Sequence, residues 1–341
     1  MFKRVSKLLP ILLAILMVAL VFAGCGRPEK ADTKKDDTKV ITLRLAHHLT
    51  PDHSLNKQAE KFAELLSKKT NGKVKVDIYP NGQLGGQRDL LESMKIGTMD
   101  MSIADTGLLA NYDLAAGILD LPYIFKDTQH VRKAMAGEAG KILRDKILKA
   151  SNIRSLTIVG VAFRGTILAK KDINSIEDFK GVKVRTPESP VLVQYFKAIG
   201  ANPTPIPSGE AYTAIQTGVV DGMEGTPEFL NSIKISEVAK KQYETNHNMN
   251  CDSLNISEKV FTGLSADIQK AILEAADESI GYFYEISTKI DETNRKELTA
   301  KGVVYNKLDL APYMKATAPM VEKFVKDNNA QALLDAIKKA Q

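Results

Sequence analysis

The sequence predicts an α/β fold in two domains, on three observations. The chain has 341 residues, whereas single domains usually run to about 100–200. Its apolar residues switch repeatedly between the spacing of strands and that of helices. From Leu264 to Lys301 no proline interrupts a helical pattern carrying Ile268, Ile272, Ala275, Phe283, Ile286 and Ile290. If continuous, this helix would extend about 57 Å at 1.5 Å per residue, more than one small domain covers, so it is expected to cross both. Gly281 is the position at which a kink is expected.

The elements follow in order. Ile41, Leu43 and Leu45 alternate as in a strand, and Leu55, Ala59, Phe62 and Leu66 recur on one helix face. Thr70-Asn71-Gly72 ends that helix with residues that tolerate positive φ. Val74, Val76 and Ile78 form a second strand before the Pro80-Asn81-Gly82 turn, a strand–helix–strand unit that implies parallel pairing. A helix over 87–96, a strand over 100–104 and apolar helical material to about Leu119 come next. Residues 153–161 read as a buried strand, 176–180 as a short helix, 182–184 as a strand and 191–199 as a helix. Pro203, Pro205 and Pro207 impose an extended loop. A helix over 210–217, a strand over 219–223 and a helix after Pro227 complete the alternation, which argues for α/β architecture.

The chain opens differently. Lys3, Arg4 and Lys7 precede an apolar run from Leu8 to Ala23, too short to span a bilayer and typical of a secretory signal. Val21-Phe22-Ala23-Gly24-Cys25 resembles a bacterial lipobox, which makes Cys25 the expected lipid-bearing residue. Residues 1–24 are then removed, and the loss of three cations lowers the net charge from +6 to +3, no signature of nucleic-acid binding. Residues 25–40 are polar and of mixed charge and read as a disordered tether. Cys251 is the second cysteine, expected as a small buried apolar residue. With 44% hydrophobic and 26% charged residues the body is globular. Two cysteines exclude a disulfide framework and any Cys-rich metal site.

Catalytic patterns are missing from the sequence: no G-x-S-x-G, H-E-x-x-H, P-loop or C-x-x-C occurs. Asn81-Gly82-x-x-Gly85-Gly86 follows a turn, unlike a dinucleotide loop. Of five histidines, His47, His48 and His53 cluster after the first strand, without the i, i+4 helical pair that would suggest a metal. Neither a metal nor a cofactor is expected. Arg164 and Arg185 stand at strand ends, where α/β folds bind ligands. A guanidinium grips a carboxylate with two parallel hydrogen bonds.

The stretches Phe179-Lys180-Gly181-Val182-Lys183-Val184-Arg185, Gly200-Ala201-Asn202-Pro203, Glu210-Ala211-Tyr212 and Gln216-Thr217-Gly218-Val219-Val220-Asp221-Gly222 closely resemble the solute-binding proteins of TRAP transporters, the DctP family. Lys69-Thr70-Asn71-Gly72, Tyr79-Pro80-Asn81-Gly82-Gln83-Leu84-Gly85 and the Phe163-Arg164 pair are similar to the same family. The resemblance implies a two-lobed, periplasmic-binding-protein-like fold of type II character, with the long helix spanning both lobes. It implies lobe I from 41–161 plus about 250–290, and lobe II from 162–249 plus about 291–341. In this family the Arg185 position salt-bridges the ligand carboxylate and the Arg164 position supplies a second basic contact. Positions matching His48, Asp105 and His247 line the cleft. Where relatives carry Gln-Glu-Asn-Pro this chain has Met223-Glu224-Gly225-Thr226-Pro227, so that either Glu224 or Thr226 takes the polar role. Ser208 stands where relatives often place an aromatic residue.

The function so implied is capture of a small organic acid, a C4-dicarboxylate or related carboxylate, and its delivery to a membrane permease by a lipid-anchored, extracytoplasmic, monomeric receptor that is no enzyme. Two alternatives stay open: a binding lipoprotein serving an ATP-driven importer or sensor kinase, and a secreted hydrolase using Asp105, Glu224 and a histidine.

Overall fold

The computed structural model describes residues 40–341. The expected signal segment 1–24, Cys25 and the tether to Lys39 lie outside the described residues. Strand β1 (Ile41–Ala46) leads to α1 (Ser54–Lys69), β2 (Val74–Tyr79), α2 (Gln87–Ile96) and β3 (Met101–Asp105). Helix α1 forms where the periodicity predicts, with Leu55, Ala59, Phe62 and Leu66 all buried. It ends at Thr70, after which Asn71 and Gly72 take φ of 50° and 76°.

The apolar run after β3 winds as two 3₁₀ helices, Thr106–Asn111 and Leu114–Asp120. This tighter path brings Gly107 against Asp120 and Gly117 against Val191, so close that neither glycine has room for a Cβ. Helices α3 (Thr128–Ala136) and α4 (Glu138–Ser151) and strand β4 (Ile153–Phe163) follow.

A single residue, Arg164, then carries the chain into a second sheet. That sheet is built from β5 (Gly165–Leu168), β6 (Lys183–Thr186), α5 (Pro190–Ala198), β7 (Asn202–Pro205), α6 (Ala211–Gln216), β8 (Gly222–Gly225), α7 (Pro227–Ser232) and β9 (Lys241–Glu244). Residues 245–248 return the chain to β10 (Met249–Ser257) of the first sheet. After α8 (Glu258–Thr262), the 35-residue α9 (Ala266–Ala300) reaches β11 (Val304–Lys307), and α10 (Ala311–Asp327) and α11 (Gln331–Lys339) finish the chain.

The first sheet has the order β2-β1-β3-β10-β4 and the second β11-β9-β5-β8-β6-β7. Each is covered on both faces, giving two lobes. On the first, α1 and α9 pack one face through Phe62, Ile272 and Phe283, while α2, α4 and α11 pack the other through Leu91, Leu143 and Ile337. On the second, Leu230 of α7 and Leu298 of α9 lie on one face, and Phe196 of α5 and Tyr313 of α10 on the other. Helix α9 is therefore one unbroken helix shared by both lobes.

Three expectations change. The sheets are mixed rather than parallel, because β10 runs antiparallel between β3 and β4, and β5 antiparallel between β8 and β9. Residues 202–205, expected as a loop, pair in parallel with β6. Their prolines are tolerated because β7 is an edge strand. Residues 291–341 do not all belong with the second sheet: Phe324, Leu333, Leu334 and Ile337 complete the core of the first.

That return of the chain end is testable. Ile337 is fully buried, so Ile337→Ala is expected to lower unfolding free energy in urea by about 2–5 kcal/mol. A change under about 0.5 kcal/mol would mean that α11 is not part of the core.

Candidate functional site

Residues from both sheets converge on one cavity at the carboxyl ends of parallel strands, the place where open α/β sheets bind ligands. The first lobe supplies His48 and Leu49 after β1, His53 before α1, Gln87 at the start of α2, Asp105 at the end of β3, and Asn250 and Asp252 of β10. The second lobe supplies Arg185 on β6, Pro187, Ser208, Thr226 after β8, and Phe229 of α7. Arg164, on the crossing between the lobes, faces the cavity too. The enclosed free volume is about 30 Å³. A neighbouring opening of about 150 Å³ shares His48, Gln87, Arg185, Pro187 and Ser208 with it.

The two arginines have opposite surroundings. Arg164 is buried, and its Nη1 donates to both Glu224 carboxylate oxygens at 2.8 Å. Its Nη2 donates to Asp105 and to Asn250. Burial alone would lower the Arg164 pKa, but the charges of Glu224, Asp105 and Asp120 outweigh that and raise it. Burial alone would likewise raise Glu224, yet Arg164 and His247 bring it down to about 2. Both charges are therefore held ionised.

Arg185 is 1% exposed. Its Nε donates to the Ile206 carbonyl at 2.8 Å and its Nη2 to Ser208 Oγ at 3.4 Å. Among the described residues no carboxylate lies within 4.0 Å of it. Burial lowers its pKa to about 10, only partly offset by the charge of Glu224. The sheet holds it rigidly, since Arg185 stands between Met223 of β8 and Thr204 of β7.

The remaining lining mixes polar groups with Leu49, Pro187 and Phe229. Burial holds His48 well below its usual range, hence neutral, and its Nδ1 has no hydrogen-bond partner among the described residues. Its ring meets Phe229 edge-on at 5.9 Å. Burial, reinforced by the charge of Asp105, raises Asp252 to about 7, and Asn250 Nδ2 donates to it at 2.6 Å. Thr226 caps α7, its hydroxyl accepting from the Phe229 amide at 3.4 Å.

Six of the residues singled out from the sequence thus border the cavity: Arg185, Arg164, His48, Asp105, Thr226 and Ser208. Two do not. Glu224 is fully buried behind Arg164, and His247 stands behind Glu224, its Nε2 3.7 Å from Oε2, stacked on Tyr195 at 4.6 Å. The sequence reading missed Gln87, Asn250 and Asp252. The signal for the last two was their alternation at i, i+2 on one strand, but that strand is polar enough to read as a loop. Cys251, between them, points the other way into the first core, where burial raises its thiol well above the usual range.

The two arginines should respond differently to deletion. Arg164→Met leaves the buried Glu224 and Asp105 carboxylates without their cation and is expected to cost about 3–5 kcal/mol in urea unfolding. Arg185→Met leaves no carboxylate behind and is expected to stay within about 1 kcal/mol of wild type, or to gain stability. Equal losses would contradict this division of roles.

Comparison with known proteins agrees with this architecture. Residues 45–328 match DctP, the bacterial extracellular solute-binding protein family 7. The C4-dicarboxylate-binding periplasmic protein DctP of Rhodobacter capsulatus is 36% identical over 263 residues, 76% of this chain and 77% of that one. A TRAP periplasmic solute-binding protein of Xanthobacter autotrophicus, solved with β-D-galacturonate, superposes with a TM-score of 0.84 at 29% identity, covering 88% of this chain and all of that one. Another from Roseobacter denitrificans, solved with β-D-glucuronate, gives 0.83 at 31% identity over 87% and 99%. The chain belongs to the DctP family of bacterial extracellular solute-binding proteins and is a solute-binding protein of the TRAP type.

Proposed function

We propose that this receptor captures a monocarboxylate rich in hydroxyl groups, a sugar acid, between its lobes. The observation that carries the reading is the buried Arg185, which has no carboxylate of the chain beside it. A buried cation is costly until paired, and a ligand carboxylate accepting two parallel hydrogen bonds from the guanidinium pairs it. Arg164 is not free for a second carboxylate, because Asp105 and Glu224 already neutralise it. A dicarboxylate would turn its far end toward Asp105 and Asp252. Hydroxyl groups suit those carboxylates, Asn250, Gln87 and the unpaired His48 Nδ1, all of which accept or donate hydrogen bonds. The relatives solved with galacturonate and glucuronate support this class, whereas the Rhodobacter relative is named for C4-dicarboxylates, so the preference for sugar acids rests on the pairing of the two arginines.

The cavity of about 30 Å³ holds a water molecule or two and joins the opening of about 150 Å³ beside it; the lobes part to admit a sugar acid and close over it. They are taken as 41–161 with about 250–290, and 162–249 with about 291–323, the last helix returning to the first. Closure then excludes water from the Arg185 pair, and no bond of the ligand is made or broken. The receptor, monomeric and tethered outside the cytoplasmic membrane through lipid on Cys25, passes its ligand to the TRAP permease.

Three outcomes are expected. D-glucuronate and D-galactonate raise the melting temperature more than succinate or malate does, and Arg185→Met abolishes the rise. Equal stabilisation by succinate would remove the sugar-acid assignment, and stabilisation retained in Arg185→Met would remove Arg185 from the carboxylate role. Cys25→Ser releases the protein from the membrane fraction, and its retention there would contradict lipid anchoring.

A further inference from the structure

We propose that Glu228 is a latch between the lobes, closing the ligand cleft by capping the N-terminus of α1 without touching the ligand. Glu228 is the second residue of α7, on the second lobe. Its carboxylate crosses to the first lobe, where Oε1 accepts from the Ser54 amide at 2.6 Å and Oε2 from the Ser54 hydroxyl at 2.7 Å. His53 Nε2 is 3.6 Å from Oε2. Glu228 and His53 are each 3% exposed and Ser54 fully buried.

Helix α1 needs this contact. The first amides of a helix have no partner within it. His53 Nδ1 accepts from the Leu55 amide at 3.2 Å, which leaves the Ser54 amide to Glu228 alone. When the lobes part, the Ser54 amide loses its acceptor and the carboxylate loses both donors. The contact therefore exists in the closed form only, which is what a closing equilibrium responds to. Glu228 does not border the ligand cavity. It borders a neighbouring groove of about 530 Å³ with Asp52, Asn231 and Lys289, which shares His53 with the ligand cavity and through which water reaches the contact once it opens.

The latch also takes up a proton. Burial raises Glu228 to about 7, against the lowering effect of Ser54. Among the described residues, His53 and Asp291 act on it from the packed elements, and Asp52, Lys289 and Glu297 line the same groove. His53 falls to about 3 through burial and stays neutral. Asp291 on α9 rises to about 6, through burial and then the charge of Glu228, and Arg295 on the same helix acts against that. In the open form Glu228 is solvated and titrates in the ordinary carboxylate range. Closure thus binds a proton between that range and about 7, and the latch strengthens as pH falls from 8 toward 5.

The latch serves the ligand cleft and in that respect rests on the sugar-acid reading, but its test does not require that reading to hold. Exchange of the Ser54 amide with deuterium, followed by NMR, reports the contact directly, and small-angle scattering reports lobe closure. Both are measured for wild type, Glu228→Ala and Glu228→Gln, with and without D-glucuronate. Glu228→Ala is expected to speed Ser54 exchange and to weaken D-glucuronate binding, each about tenfold, while amides of β1 and β3 keep their protection. Glu228→Gln keeps the contact and flattens the response between pH 5 and 8. If Glu228→Ala does not fold, Ser54→Ala serves instead, with a smaller rise at residue 54. Should D-glucuronate neither compact nor stabilise the wild type while Glu228→Ala still frees the Ser54 amide, the sugar-acid reading fails and the latch stands. Ser54 exchange that is the same in wild type and Glu228→Ala, or D-glucuronate affinity unchanged by that substitution, overturns the latch.

Discussion

The pairing of Arg164 is the constraint on which the rest of the structure depends. An arginine in the single residue between β4 and β5 lies where the two sheets meet, out of water. Its charge survives there only if carboxylates meet it, and they come from both sides: Asp105 from the end of β3 and Glu224 from β8. Asn250 of β10 completes the set. These partners fix where three strand ends stand relative to the crossing. The second crossing is bound to the first, since the Arg164 amide donates to the Asn248 carbonyl at 3.0 Å. His247, from that crossing, backs Glu224. A network spanning both lobes and both crossings is costly to leave half made, and so it holds the two crossings together.

Arg185 is the counterpart that the network leaves alone. One arginine is saturated by the chain and a second stands in the same cavity with no carboxylate of the described residues beside it, which is the ground for proposing that the site takes one negative charge. Under that proposal, selectivity follows from what the Arg164 network consumes as much as from what faces the ligand. The neutral His48 and the raised Asp252 add hydrogen-bonding groups at little net charge, which suits hydroxyls.

The sequence reading reached the elements whose pattern is local. Helix α1 was legible because one face is apolar and the other charged, and α9 because nothing interrupts its period. Strand β10 was not legible. All nine of its residues are buried, among them Asn250, Asp252, Ser253 and Asn255, so no alternation between core and solvent marks it. Two of its polar groups are satisfied from strands about a hundred or more residues away, Asn255 by Ser155 at 2.8 Å and Ser253 by the Ala104 carbonyl at 3.3 Å, and periodicity carries no such information. The site shows the same division. Both arginines stood out by position, but which one was free depended on Glu224 and Asp105, brought together only by the fold. For the same reason Glu224 and His247 were read as lining the cleft when they support it from behind.

Helix α11 has a consequence for how the first lobe folds. On one face of its sheet the core joins Ala46, Leu90 and Leu91 to Leu333, Leu334 and Ile337. The contacts that complete this face therefore link segments far apart in sequence, which slows their formation. Until those segments meet, apolar side chains such as Leu143 and Ile147 stay open to other chains, and the lobe passes through a stage in which it is prone to associate.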